Sequence, residues 1–304
     1  MIDKICLVSR GMLFDSALLI AAEAAMALYP ILVKSVPTNL TTQIMARVLT
    51  YTIVAFIIAP SALINQTWGT LEGAATSMSL GALILFHIFS SYVAFTELPA
   101  GAAMSIFYTY PIWNMVTASL LHGESISFIH FLLVLVAFAG VVLIARSHAK
   151  EETEAGLEEK SKDYGLKGIA AALGAALSET TIYFAVKRWG IESSYKSLIE
   201  LYPGAFLLLA GFLLLNQEGA LFLDKNPEIW KPLMLFNLLV GVVGFFCWSY
   251  AIPRVTTTTF SLLSFFGVVS GFLWGWLFLK EVPSLEALAG AGLIVGSAGA
   301  SYLV

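Results

Sequence analysis

The chain has 304 residues, 59% of them hydrophobic and 12% charged, and a mean hydropathy of +0.85. A water-soluble domain of this size needs far more surface charge, so the composition points to a polytopic membrane protein. The net charge is −4 with no basic run, which excludes nucleic acid as an expected partner. Cys6 and Cys247 lie far apart, with neither a disulfide framework nor a metal spacing. No Walker motif, GxSxG or HExxH occurs. No cofactor, metal or catalytic residue is therefore expected, and the chain is not read as an enzyme.

The first thirty residues combine a basic start with an apolar stretch, as a signal peptide does. Glu23 interrupts that stretch and no clean cleavage site follows, so the segment is read as a retained first helix. An apolar run of about 20 residues crosses a hydrocarbon core of about 30 Å as a helix, with its backbone groups bonded internally. Five such runs are expected near 12–34, 42–60, 76–96, 99–120 and 126–146, and five more near 166–188, 195–216, 231–252, 256–279 and 284–303. Thr96 to Pro99 and Ile252 to Val255 are short enough to be tight turns. The one long polar interruption, Ser147 to Gly165, reads as a solvated linker. It divides the chain into a first repeat (1–146), a linker (147–165) and a second repeat (166–304).

The halves superpose in sequence. At an offset of 153, Val33 and Lys34 fall on Val186 and Lys187, and Arg47 falls on Glu200; at 157, Glu97 falls on Arg254, Glu124 on Glu281 and Ser127 on Ser284. An odd number of spans per half makes the second copy enter the membrane from the opposite side. The expected fold is therefore all-α, with ten transmembrane helices as two inverted five-helix repeats. That arrangement is typical of alternating-access transporters, which bind substrate between the repeats near the midplane.

The segment YPIWNMVTASLLHGESIS, and its counterpart VTTTTFSLLSFFGVVSGFLWGWLFLKEVPS, resemble the EamA-type repeat of the drug/metabolite transporter superfamily. The resemblance covers both halves, with two departures: Val268 stands where the first copy has Pro111, and Lys280 where it has Gly123. A tryptophan frequent in the family's first helix is absent. The resemblance implies a secondary transporter whose cavity is bounded by helices 1, 3 and 4 and their mates 6, 8 and 9. Tyr108, Trp113, Asn114, Trp248 and Tyr250 are then candidate substrate contacts, and rings beside carboxylates suit an amine through cation–π attraction.

Ionisable residues within the spans are the other site candidates, because a charge at the bilayer centre costs about 2.5–3.5 kcal/mol on insertion scales. Glu23 and Glu179 lie near the middles of helices 1 and 6, within a turn of being repeat mates, and both could face one cavity. They are candidate substrate and proton-coupling residues; the alternative is a bond to a neighbouring helix. Lys187 follows Glu179 by eight residues, a spacing similar to the first helix of small multidrug resistance proteins. Arg47 and Glu200 are expected to form an ion pair across the pseudo-twofold axis or to contact substrate. His87 is read as a bonded packing residue or a proton relay. Glu124 and Glu281 are read as helix-end groups, Ser127 and Ser284 as N-caps, and Lys34, Lys187 and Arg188 as reaching headgroups. Gly267, Gly271, Gly275, Gly292 and Gly296 are expected at helix contacts.

Ten spans place both termini on one face. Lys and Arg number six on that face and nine on the other, which favours external termini. The family resemblance implies cytoplasmic termini in a cell membrane, and that placement is adopted. The expected substrate is a small polar metabolite, with an amino acid, amine or organic cation favoured and proton-coupled export as the mode. The rivals are an organic-anion, sugar-phosphate or nucleotide-sugar antiporter and a non-transporting scaffold. The expected partners are the substrate and lipid; a homodimer stays open.

Overall fold

The computed structural model describes residues 2–98, 100–154, 166–215, 222–279 and 284–303. Among them ten helical spans follow one another: α1 (Leu13–Ser35), α2 (Leu40–Ile58), α3 (Leu71–Glu97), α4 (100–122), α5 (Phe128–Glu154), α6 (Leu166–Arg188), α7 (Gly190–Leu215), α8 (Pro227–Arg254), α9 (Thr257–Phe278) and α10 (Leu285–Ala300). Seven of them are long and apolar enough to cross a membrane by length and composition alone. No strand occurs among the described residues.

Five helix starts are capped by the residue type that favours them. Side chains of Asn39, Thr70, Asn226, Thr256 and Ser284 accept from backbone N–H groups of the first turns of α2, α3, α8, α9 and α10, at 2.8–3.1 Å. Ser284 thus caps α10 as expected. The polar stretch beginning at Ser147 is not all loop, since α5 continues to Glu154. Residues 155–165 of the linker, Pro99 of the first tight turn, and Lys280 and Glu281 lie outside the described residues.

Contacts between the halves obey the exchange of each helix with its mate. α1 packs on α8 and α6 on α3; α1 packs on α9 and α6 on α4; α3 packs on α7 and α8 on α2. The pairs α2–α7, α4–α9 and α5–α10 map onto themselves. This is the contact pattern of a pseudo-twofold axis relating two five-helix repeats.

Two of these crossings rest on glycine. A methyl group at Gly140 on α5 would lie 2.5 Å from the Gly290 carbonyl oxygen on α10, and one at Gly290 would lie 2.5 Å from the Gly140 oxygen. Gly81 on α3 and Gly204 on α7 likewise leave no room between their backbones. The expected glycine stripes are corrected accordingly. Gly292 and Gly296 meet nothing within 4 Å, so Gly290 is the packing glycine of α10. Of the α9 set, Gly267 makes a close contact, Gly271 an ordinary one, and the surroundings of Gly275 lie outside the described residues.

Candidate substrate cavity

Two helix breaks build the site. Proline lacks an N–H and its ring displaces the carbonyl four residues earlier. Pro30 follows a two-residue break in α1 at Ala27 and Leu28, and Pro111 follows the break in α4 at Tyr108 and Thr109. The interrupted backbone is bonded to the other repeat. The Tyr110 carbonyl accepts from Thr180 Oγ1 on α6 (3.4 Å), the Pro111 carbonyl from Ser261 Oγ on α9 (3.0 Å), and the Ala24 carbonyl from Trp274 Nε1 (2.7 Å).

A buried cavity opens beside both breaks. Glu23, Arg47, His87, Tyr92, Tyr108, Tyr110, Glu179 and Trp248 are among its lining residues. Glu23 is 4% exposed. Tyr110 Oη donates to Glu23 Oε1 at 3.0 Å and Tyr108 Oη to Oε2 at 3.4 Å. On α9, Gly267 lets these groups sit where they do, since a methyl group there would collide with the Tyr108 hydroxyl. Glu179 Oε2 lies 3.3 Å from His87 Nε2, and His87 Nδ1 is 3.1 Å from Ser178 Oγ and 3.3 Å from the Ala175 carbonyl oxygen. His87 therefore joins the cavity wall and orients Glu179. Among the described residues neither glutamate has a lysine or arginine within ion-pair distance.

Arg47 occupies another part of the same wall. Its guanidinium carbon stands 4.3 Å from the ring centre of Tyr29 and 5.6 Å from that of Tyr51, a cation–π arrangement. The expected ion pair with Glu200 is not formed. Glu200 Oε1 instead accepts from Thr67 Oγ1 at 3.0 Å, and its other oxygen has no partner. An inverted repeat places its mates at equal distances on opposite sides of the midplane, and here the two side chains do not meet.

Three aromatic and polar candidates are placed elsewhere. Trp113 is 40% exposed on the outer surface of α4. Asn114 is fully buried, neither end of its amide has a hydrogen-bond partner, and it does not line the cavity. Tyr250 packs under Arg254, whose guanidinium carbon is 3.5 Å from the ring centre and whose Nη1 donates to the Tyr250 carbonyl at 2.6 Å. Tyr108 and Trp248 do line the cavity. Tyr29, Tyr92 and Tyr110 line it too and were not among the candidates.

The face carrying the termini is closed by a network between the repeats. Lys187, at the end of α6, does not reach headgroups. Its Nζ donates to Glu124 Oε1 (2.6 Å) and Thr257 Oγ1 (2.5 Å), while Thr257 Oγ1 donates to Glu124 Oε2 (2.7 Å) and Tyr183 Oη donates to Thr257 Oγ1 (3.1 Å). Gly123, with φ 64°, ends α4 in the left-handed region and turns Glu124 toward its partners. Beneath the polar layer the rings of Tyr183 and Phe260 lie 4.5 Å apart, and Phe260 lies 5.9 Å from Trp248 on the cavity wall.

Partial burial raises the Glu124 carboxyl, but hydrogen bonds from Lys187 and Thr257 and the Lys187 charge outweigh it and hold the group below its ordinary value. A pKa lowered in the closed state means that the pair's contribution to closure is complete above the ordinary carboxylate range. It is lost as pH falls through the lowered value. The expected result is that Glu124→Gln or Lys187→Gln opens the terminus face. A cysteine at Ser91, a small residue of the cavity lining, in a Cys6→Ser, Cys247→Ser background should then react several-fold faster with an impermeant thiol reagent added on that face. Unchanged reactivity in both variants contradicts the closure.

Among the described residues, ten helical spans in two exchanged repeats surround a buried, charged cavity, an architecture typical of alternating-access transporters. The chain belongs to the EamA-like transporter family, whose sequence profile matches residues 14–146 and 166–303. It is 25% identical over 209 residues to the uncharacterized transporter YdfC of Bacillus subtilis, covering 67% of this chain and 63% of that protein. It is 20% identical over 224 residues to the pseudopaline exporter CntI of Pseudomonas aeruginosa, covering 74% and 73%. A probable terminal-alkyne amino-acid exporter of Streptantibioticus cattleyicolor is 26% identical over 207 residues, covering 65% and 62%. The matched segment thus spans somewhat less than two thirds of the Bacillus and Streptantibioticus proteins. A solved crystal structure matches with a TM-score of 0.69 at 17% identity, over 95% of this chain and 98% of that one, which shows the common fold.

Proposed function

We propose that this protein is a secondary transporter that moves a small metabolite bearing a cationic nitrogen, an amine or an amino acid, by alternating access in exchange for protons. The observation that carries this reading is the pair Glu23 and Glu179, from mate helices of the two repeats, facing one buried cavity with, among the described residues, no lysine or arginine within ion-pair distance of either. A buried carboxylate without a countercharge is costly. Each group is therefore stable either protonated or against a cation that enters the cavity, and that alternative is what exchange requires. The names of the Pseudomonas and Streptantibioticus relatives, both exporters, support the direction outward. The termini are taken as cytoplasmic, with the network at Glu124 closing the cytoplasmic face. Uptake of labelled amines and amino acids into proteoliposomes under an imposed pH gradient tests the reading. Saturable, gradient-driven uptake with counterflow is the expected result; uptake of organic anions alone overturns it.

A further inference from the structure

Arg47 is 4% exposed and lines the cavity, and among the described residues its charge meets no carboxylate within ion-pair distance. Its Nε has no hydrogen-bond partner, and neither does the hydroxyl of Tyr92, a cavity-lining side chain 1% exposed.

The surroundings of Arg47 are otherwise fixed. Tyr29 Oη donates to Asn237 Oδ1 at 2.8 Å and lies 3.2 Å from Tyr51 Oη, whose ring stacks on Tyr202 at 4.1 Å. Asn237 opens a π-helical turn in α8, Asn237–Val242, which brings Gly241 against these phenols. A methyl group at Gly241 would collide with the Tyr29 hydroxyl. The rings hold the guanidinium in place while its Nε is left unmet. Leaving buried donors unpaired costs stability, so the arrangement fits a group that arrives with the ligand.

We infer that Arg47 and the Tyr92 hydroxyl form an anion-receiving subsite for a single carboxylate, so that the cavity takes a zwitterion with its ammonium at Glu23 and Glu179 and its carboxylate at Arg47. The planar guanidinium matches a carboxylate through paired hydrogen bonds. Two glutamates in the same cavity disfavour a doubly charged anion by repulsion. The inference rests on the reading of Glu23 and Glu179 as the cation-receiving end, and it adds the opposite end.

The test uses the full-length purified protein and thermal-shift titrations with matched probes: the twenty L-amino acids, and for leucine and phenylalanine the amines lacking the carboxylate and the N-acetyl derivatives lacking the ammonium. The expected result is that at least one amino acid stabilises the wild type, and that leucine or phenylalanine does so at about tenfold lower concentration than its amine. Arg47→Gln should abolish that difference while amine stabilisation persists. Arg47→Lys should restore it in part, and Tyr92→Phe, which removes only an unbonded hydroxyl, should reduce it without lowering the unliganded melting temperature. Amine and amino acid binding equally, no stabilisation by any of the twenty, or the difference surviving Arg47→Gln overturns the inference. A failure of the cation site looks different. N-acetyl derivatives would then bind as well as free amino acids, Glu23→Gln would leave both unchanged, and the dependence on Arg47 would remain.

Discussion

Replacing Glu23 with glutamine is expected to lower transport of a cationic or zwitterionic substrate by about tenfold to a hundredfold, while the protein folds and melts as the wild type does. The magnitude follows from removing a charged acceptor whose hydrogen bonds are worth about 1.5–3 kcal/mol each. The fold should survive because glutamine has the same shape. Its amide oxygen can still accept from Tyr110, now 3.0 Å from Oε1, and the phenol of Tyr108 can accept from the amide nitrogen. Removing a buried charge that has no basic partner also costs the folded state nothing in lost ion pairing. Glu179→Gln should act in the same direction but less strongly. His87, which lies 3.3 Å from Glu179 Oε2, loses its carboxylate partner there and can reorient toward the amide. Transport and melting temperature measured on the same preparations check both variants.

Gly204→Ala is expected to destabilise the protein by about 3 kcal/mol or more, and Gly204→Leu to abolish folded yield. The added methyl group would collide with the Ser77 carbonyl oxygen and lie 2.7 Å from its carbon, while one at Gly81 would lie 2.5 Å from the Gly204 carbonyl carbon. These are backbone atoms and cannot rotate aside, so α3 and α7 must separate. Separation also breaks the bond from Ser77 Oγ to the Glu200 carbonyl, 3.0 Å long. Gly292→Ala is the control, since nothing stands within 4 Å of its position. Melting curves of the three single variants should show two large losses or lost yields at Gly204 and no change at Gly292. Equal behaviour at both positions contradicts the close crossing.

The number of spans and their exchange symmetry were legible because hydrocarbon thickness fixes helix length, and an odd count per half fixes inversion. Glu23 and Glu179 were legible for a related reason: a carboxyl in an apolar run stands out by its cost. What the sequence could not supply was helix rotation. Asn114 and Trp113 are neighbours in sequence, yet one is fully buried and the other is 40% exposed. Arg47 and Glu200 occupy equivalent positions of the two repeats, yet Arg47 faces Tyr29 and Glu200 faces Thr67.

The phenols of Tyr29, Tyr51, Tyr92 and Tyr202 do not stand out in the sequence, because aromatic residues commonly fill membrane cores. The usable signal was the hydroxyl itself. A tyrosine deep in an apolar span carries a polar group that phenylalanine lacks, and four of them accompany one arginine. The place of Lys187 at a helix end points to headgroups. Its true partner, Glu124, follows a glycine whose left-handed conformation turns the chain inward, and a contact between repeats of that kind is visible only in three dimensions.

The buried carboxylates are proposed as the substrate site of a coupled transporter. Counterflow of a labelled amino acid in proteoliposomes, measured for the wild type, Glu23→Gln and Glu179→Gln at equal protein density, tests it most directly. Saturable counterflow is expected with the wild type, with a loss of about tenfold or more for Glu23→Gln and a smaller loss for Glu179→Gln. Saturable counterflow undiminished in both variants, or flux that never saturates, contradicts it.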